Sequence, residues 1–164
     1  MINIRPERKD DREAVRDVLE QAFGGPDEAA LIERLRPLGD SFISLVTEKQ
    51  GKIIGHSLFS PVTVGSDKAV GLGPVAVLPE YQKQGIGTQL IRTGLDLCRD
   101  KGDKVVFVLG HPEYYPRFGF ELAAPKGLFF MPPDTDAAFF VLELVPEASR
   151  AMSGNVIYPP AFMV

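Results

Sequence analysis

The chain opens with a change in the spacing of its apolar residues. Ile2 and Ile4 alternate with polar neighbours, which predicts a short strand. From Ala14 to Phe23 the apolar residues recur at helical spacing, and a pair of glycines then ends the predicted helix. A second helix is predicted to begin at Pro26 and to end before Gly39. The N-terminal part should therefore be a strand followed by two helices.

Alternating and fully apolar runs dominate the rest of the chain and predict β-structure. FISLVTEKQGKIIGHSLFS is typical of a β-hairpin that turns around Gly51. KVVFVLG is almost wholly apolar, which predicts a central strand covered on both faces. Further strands are predicted in four segments: PVTV, AVGLGPVAVL, Phe120–Ala123 and AAFFVLELV. The pattern indicates one mixed α/β domain, residues 1–164, with a sheet of six or seven strands.

PEYQKQGIGTQLI joins an apolar strand to a helix and is the segment richest in candidate chemistry. The helix is predicted from an apolar stripe at helical spacing: Gly87, Leu90, Ile91, Gly94, Leu95 and Cys98. Backbone N–H groups at a helix start have no intrahelical acceptor and can bind an anion, and Gly85 and Gly87 permit its close approach. Lys83 adds positive charge at the rim. The alternative is a tight turn without a ligand.

Two other phosphate motifs can be set aside. GLGPVA fits the pattern of a dinucleotide fingerprint, but it leads into a strand and not into a helix. No glycine-rich loop is followed by Gly-Lys-Ser or Gly-Lys-Thr, so a P-loop is not indicated.

Taken together, these segments resemble the GNAT superfamily of acyl-CoA-dependent N-acetyltransferases over most of the chain. The family signature, Gln or Arg followed by xxGxG or xxGxA, stands here as QKQGIG, Gln82 to Gly87. A family Tyr four residues before Gly-Phe stands as Tyr115 in YYPRFGF. One helix and one strand separate the two features, as in the family. The resemblance implies the GNAT fold, in which helices flank a mixed, mostly antiparallel sheet.

The resemblance also implies how acetyl-CoA is held. Backbone amides of the loop would bind its pyrophosphate, contributed by Lys83, Gln84, Gly85, Ile86, Gly87 and Thr88. Gln82 would shape that loop. The backbone of Val75, Ala76 and Val77 would pair with the pantetheine arm like a neighbouring strand. No metal is implied.

For the chemistry, the resemblance implies direct attack of a primary amine on the thioester, with Tyr115 as the general acid that protonates the CoA thiolate. A phenol pKa of about 10 is compatible with donation towards a thiolate whose conjugate acid has a pKa of about 8.5. Tyr114 is interpreted as packing. The base stays unassigned among Glu48, His56, His111 and water.

The sequence departs from many family members because Val108 stands where they carry Asn. LGHPEYYPRFGF, which contains the pattern GxPxYYxRFGF, instead resembles a bacterial subgroup whose substrates are largely unassigned. In that subgroup Asp commonly occupies the place of His111. The acceptor therefore stays open between a small molecule and a protein.

Net charge and residue content limit the binding partners and the compartment that are expected for this chain. The net charge of -4, from 18 Lys plus Arg and 22 Asp plus Glu, argues against nucleic acid or an anionic membrane as partner. No apolar run is long enough for a membrane span, and Cys98 as the only cysteine suits a reducing compartment, so the cytoplasm is expected. Cys98 itself is predicted to be core. The proline-rich and phenylalanine-rich segment after Gly119 could line an acceptor pocket, form a homodimer surface or complete the core.

An N-acetyltransferase is the leading functional hypothesis. A catalytically weak acyl-CoA sensor of the same fold is the alternative, because no residue stands out as the base. An acyltransferase for longer acyl chains is a third reading.

Overall fold

A computed structural model describes residues 1–39, 41–130 and 133–163 of the 164-residue chain. The chain forms two compact units. The first comprises residues 1–59, 74–96 and 161–164, and the second comprises residues 60–73 and 97–160. In the segment after Gly119, whose role the sequence does not decide, Met131, Pro132 and Val164 lie outside the described residues.

The first unit contains the two predicted helices. Helix α1 spans Arg12–Phe23 and helix α2 spans Asp27–Leu35. Gly24 ends α1 in the left-handed region at φ 72°, where glycine has no steric penalty, as the glycine pair predicts. The apolar stripe of α1 is fully buried at Val15, Val18 and Leu19. Burying a side chain of this size contributes about 1.5–3 kcal/mol, so packing of this face holds the helix in place.

Three strands of the sheet begin in the first unit, β1 at Ile2–Pro6, β2 at Ile43–Lys49 and β3 at Lys52–Val64. Strand β2 pairs antiparallel with both β1 and β3. The β2–β3 turn has positive φ at Gln50 (52°) and Gly51 (79°), the geometry that matches the twist of a two-residue hairpin. The predicted hairpin is therefore confirmed. PVTV, predicted as a separate strand, is the end of β3.

Strand β4, Asp67–Val77, and helix α3, Ile86–Lys101, each run from one unit into the other along the chain. The predicted stripe of α3 is buried at Leu90, Ile91, Leu95 and Cys98. Gly94 lies on the same face against Phe59, where an added Cβ would come within 2.0 Å of ring carbon Cε1. A glycine in the middle of this helix is explained by that close approach.

The second unit contains the remaining strands: β5 at Val105–Leu109, β6 at Glu121–Leu122, β7 at Leu128–Phe129, β8 at Phe139–Glu143 and β9 at Gly154–Ile157. Strand β5 pairs in parallel with β4 and antiparallel with β8. Its residues 105–108 are buried, which confirms a central strand covered on both faces. Strand β6 continues the antiparallel pairing beyond β8.

The mixed, mostly antiparallel α/β fold is confirmed, but with nine strands in the described residues instead of six or seven. Strand β6 lies within the predicted segment Phe120–Ala123, whereas β7 and β9, two and four residues long, are too short to show an alternating pattern. Their positions are set by pairing with distant strands. Within the described residues, no helix is long and apolar enough to cross a membrane.

Candidate functional site

The segment between β4 and α3 folds as an open loop. A short 3-10 turn at Pro79–Tyr81 follows the strand, and residues 82–85 are exposed before α3 begins at Ile86. The first α3 hydrogen bond back into the loop runs from the Gln89 amide to the Gly85 carbonyl at 3.0 Å. The amides of the first turn point out of the helix without intrahelical acceptors, at the positive end of its dipole. This end of α3 is suited to an anion.

Two residues of the loop have left-handed backbone conformations, Lys83 at φ 64° and Gly85 at φ 84°. Alternation between right-handed and left-handed residues turns successive N–H groups towards one side, which makes an anion-binding concavity. An added Cβ on Gly85 would meet no atom within 4 Å. Glycine is therefore favoured here by the backbone conformation and leaves open space beside the loop.

Gln82 fixes the loop to the strand that precedes it. Its side-chain amide donates from Nε2 to the Val77 carbonyl oxygen at 3.0 Å, and the Gln84 side-chain amide donates to the Glu80 carbonyl at 3.4 Å. The Leu78 backbone amide in turn donates to the Ile54 carbonyl of β3 at 2.9 Å. These bonds tie the loop to the sheet, which is the geometry that a shaping role for Gln82 requires.

The strand before the loop has an edge available for pairing. The parallel register of β4 with β5 covers Val70–Leu72 and ends there within the described residues. Val75 and Val77 beyond it are half-buried, whereas Ala76 is buried. Backbone groups on such an edge can hydrogen bond with an extended ligand as they would with a strand.

Tyr115 belongs to the second unit and begins a 3-10 turn, Tyr115–Phe118. Its ring lies against Gly110, where an added Cβ would come within 2.2 Å of ring carbon Cε2. The rings of Tyr114 and Phe120 pack against it edge to face, with centroids at 5.1 Å and 5.8 Å. Glycine at position 110 thus provides the space that the Tyr115 ring occupies.

Burial changes the acidity of Tyr115. Only 9% of the residue is exposed. Desolvation of the phenolate, with a smaller contribution from Tyr114, raises the pKa of Tyr115 to about 12. The phenol is consequently a neutral hydrogen-bond donor throughout the physiological pH range.

The three side chains considered for the base lie in different environments. His56 is fully buried in β3, and desolvation lowers its pKa to about 3. Glu48 in β2 accepts a hydrogen bond from Arg5 at 3.4 Å, and its side chain is 30% exposed. His111 is exposed before the Tyr115 turn. None of the three is singled out as a base, so that role stays open.

Cys98 is buried as predicted. Burial is the main reason that its pKa is raised to about 12, so the thiol stays protonated and is a poor nucleophile. Among the described residues, no group of three His, Cys, Asp or Glu side chains is close enough to hold a metal ion.

A partly buried polar network around His56 is a feature that the sequence does not predict. The Ser44 hydroxyl donates to Glu7 Oε1 at 2.9 Å, and Ser44 Oγ lies 2.8 Å from His56 Nε2. Arg36 donates to Glu7 Oε2 at 2.5 Å. The only sequence signal for the network is the histidine in an apolar strand, because the partners come from three other segments.

Gly71 belongs to the GLGPVA segment that fits a dinucleotide fingerprint, but its role is different. It lies within β4 against Tyr158, whose ring carbon Cε2 would be 2.5 Å from an added Cβ. Burial raises the pKa of the Tyr158 phenol above its ordinary value. The glycine is explained by side-chain packing, as expected for an accidental motif match.

Comparison with known proteins identifies the family. Residues 3–123 match the family described as the acetyltransferase (GNAT) domain. The chain belongs to the GNAT acetyltransferase family. It is 40% identical over 162 residues to the uncharacterised N-acetyltransferase YhbS of Escherichia coli K12, with 97% of each chain covered. It is also 36% identical over 161 residues to the uncharacterised N-acetyltransferase YjhQ of the same organism, covering 90% of this chain and 87% of YjhQ.

Solved GNAT structures agree with the assignment. The crystal structure of YhbS from Escherichia coli, in complex with CoA, superposes with a TM-score of 0.95 at 37% identity, covering 99% of this chain and 92% of that one. A GNAT acetyltransferase from Brucella melitensis in complex with acetyl-CoA gives a TM-score of 0.83 at 36% identity, covering 99% and 98%. The predicted GNAT fold is confirmed, and the chain is an N-acetyltransferase.

Proposed function

We propose that this GNAT enzyme transfers the acetyl group of acetyl-CoA to a primary amine by direct attack, with Tyr115 as the general acid. The observation that carries the proposal is the loop between β4 and α3, where left-handed Lys83 and Gly85 precede the helix start. The CoA and acetyl-CoA in the two similar GNAT structures support the choice of ligand. The location of the enzyme in the cytoplasm is part of the same proposal.

In the proposed complex the pyrophosphate is bound at the loop. The amides of residues 83–88 donate to its oxygens, and the dipole of α3 favours its negative charge. The free edge of Val75–Val77 pairs with the amides of the pantetheine arm. Because these contacts are made by the backbone, the local conformation matters more than side-chain identity at most of the positions.

In the reaction, the lone pair of the neutral amine attacks the thioester carbonyl carbon. The C–S bond breaks as the tetrahedral intermediate collapses, and the sulfur takes a proton as it leaves as CoA thiol. Tyr115 first donates a hydrogen bond to the sulfur and then transfers that proton to it, and the phenol is reprotonated from water. The proton released from the amine passes to water or to one of the open base candidates, and the product is the N-acetyl amide.

The proposal is tested with purified protein, acetyl-CoA and a broad panel of primary amines, with CoA thiol release measured by a thiol-reactive dye. We expect thiol release that depends on both acetyl-CoA and one class of amine. Parallel assays with propionyl-CoA and succinyl-CoA report acyl-chain preference. Tight acetyl-CoA binding without thiol release from any amine in the panel would contradict transfer and favour the sensor alternative.

Replacing Gly85 with Ala should weaken acetyl-CoA binding about tenfold. An L-residue at φ 84° is strained by roughly 1–2 kcal/mol, so the free loop leaves this conformation and must regain it to bind the pyrophosphate. The added methyl group meets no atom within 4 Å, so the core is unaffected. The affinity is measured by calorimetric titration of the full chain with acetyl-CoA.

Gly65→Ala is the matched control for this prediction. Gly65 also has a positive φ, 60°, and a Cβ added there would meet no atom within 4 Å. It lies in the turn between β3 and β4 and outside the proposed ligand contacts. Equal losses of affinity in the two variants would assign the effect to general strain and not to the loop.

A further inference from the structure

A cavity of about 260 Å³ lies in the first unit and is not part of the proposed acetyl-CoA site. Its walls come from five segments: the end of β1, the start of α1, the end of α2, the start of β2, and β3. None of the residues predicted to contact acetyl-CoA lines it. Its volume is near the lower end of small-molecule pockets, which begin at roughly 300 Å³.

The charges around this cavity are unbalanced. Among the described residues that line it, four side chains are cationic, Arg8, Lys9, Arg12 and Arg36, and one is a carboxylate, Glu7. Within the described part of the chain, Lys9 and Arg12 make no ion pair or side-chain hydrogen bond. In a chain whose net charge is -4, this is a local concentration of positive charge.

The carboxylate of Glu7 is already neutralised. Glu7 accepts from Arg36 at 2.5 Å through Oε2 and from the Ser44 hydroxyl at 2.9 Å through Oε1, and its side chain is only 9% exposed. Ser44 is held in turn by fully buried His56. Since Glu7 and Arg36 compensate each other, the charge available to a ligand is that of the other three cations, Arg8, Lys9 and Arg12.

Apolar side chains also line the cavity. They are Ile32 and Leu35 of α2, Phe42 before β2, and Leu58 of β3. Ile32, Leu35 and Leu58 are almost fully buried in the same core. A ligand that satisfies both parts of this lining must carry an anionic group and an apolar body.

We propose that this cavity is a binding site for a small organic oxyanion, a carboxylate or phosphate attached to a short apolar body. The guanidinium groups of Arg8 and Arg12 can each donate two parallel hydrogen bonds to such a group, and Lys9 adds a further charge. The apolar body packs against Phe42 and the core. This site goes beyond the proposed function and does not depend on it.

The test is calorimetric titration of the full chain with four probes at moderate salt. Phenylacetate and phenyl phosphate carry both required parts, phenylacetamide lacks the charge, and inorganic phosphate lacks the apolar body. We expect at least one of the two anionic aromatics to bind about tenfold or more tightly than both incomplete probes. The tighter of the two identifies the oxyanion.

Amino-acid substitutions and competition with CoA show where the aromatic anion binds. Arg12→Gln should weaken the better probe about tenfold, whereas Arg16→Gln should change it less than twofold, because Arg16 lies one turn later on α1 and does not line the cavity. Saturating CoA should leave the probe bound. Lys9→Gln provides a second variant at an exposed position, with an expected loss of a fewfold.

Several results would overturn the site. These are no binding of either aromatic anion at millimolar concentration, equal binding of phenylacetamide or inorganic phosphate, equal losses in the Arg12 and Arg16 variants, or displacement by CoA. Displacement would place the probe in the acetyl-CoA site and would leave the proposed transfer reaction intact.

Discussion

Tyr115→Phe is expected to lower kcat about hundredfold while leaving acetyl-CoA affinity within about twofold. General acid–base groups typically contribute about 10²–10⁴-fold, and the lower end is expected here because a phenol with a pKa of about 12 is a weak acid towards a thiolate. Removing one hydroxyl leaves the ring in place against Gly110 and Phe120. The measurements are steady-state kinetics with a responsive amine and calorimetric titration with acetyl-CoA.

Tyr114→Phe is the matched control. It removes the same hydroxyl from the neighbouring ring, which packs edge to face on Tyr115 and beneath the Arg117 guanidinium. We expect kcat to change less than threefold. A loss in Tyr114→Phe comparable to that in Tyr115→Phe would mean that the aromatic cluster as a whole, and not the Tyr115 hydroxyl, supports the rate.

The raised pKa of Tyr115 also makes a prediction about pH. The acid form is the active one, and it persists until the pH approaches about 12. Between about pH 7 and pH 10 the rate should therefore not fall through ionisation of this residue, and any rise should follow deprotonation of the amine. A decrease in kcat with a midpoint below about pH 10 that disappears in Tyr115→Phe would contradict the pKa shift.

The parts of this protein that could be predicted from sequence are those encoded by local patterns. The stripe of α3, the hairpin turn at Gln50-Gly51 and the loop from Gln82 to Gly87 each depend on neighbouring residues and on backbone dihedral angles. The conformation of each of these segments follows from its own residue types. Resemblance to the family supplies the ligand and the proposed role of Tyr115.

The parts that could not be predicted depend on contacts between distant segments. Gly110 and Gly94 are explained only by the rings of Tyr115 and Phe59 that lie against them. The two-residue strand β7, which the sequence does not predict, exists because β9 is beside it. Sequence periodicity carries no information on such pairings, so the predicted strand count is too low.

The polar network around His56 is the clearest example. Its members are separated by 37 residues between Ser44 and Glu7 and by 12 between Ser44 and His56. The Ser44 proton is donated to Glu7, so His56 must donate to Ser44 through Nε2–H and carry no proton on Nδ1. Nδ1 is buried without a hydrogen-bond partner among the described residues. A second proton on the ring would be a buried charge with an unpaired donor.

This arrangement predicts acid destabilisation with a defined sign. The pKa of His56 is lowered to about 3 in the folded protein, mainly by burial and secondarily by Arg36, whereas an unfolded histidine has a pKa of about 6.5. Between these values the unfolded chain binds one more proton than the folded protein. The free energy of unfolding should therefore fall by up to about 1.4 kcal/mol for each pH unit as the pH decreases below about 6.5.

The slope is measured by urea unfolding between about pH 5 and pH 6.5, a window chosen because Asp11 and Glu143, whose pKa values are lowered in the folded protein, contribute mainly at lower pH. In His56→Gln the slope should nearly vanish, because the amide keeps a donor for Ser44 and does not titrate.

The chain has two histidines, and exposed His111 provides the control. His111→Gln should retain the full slope, since this change leaves the buried ring of His56 in place. A slope that survives in His56→Gln but is lost in His111→Gln would show that the buried histidine is not the source of the acid sensitivity, and that its network with Ser44 and Glu7 tolerates a charge.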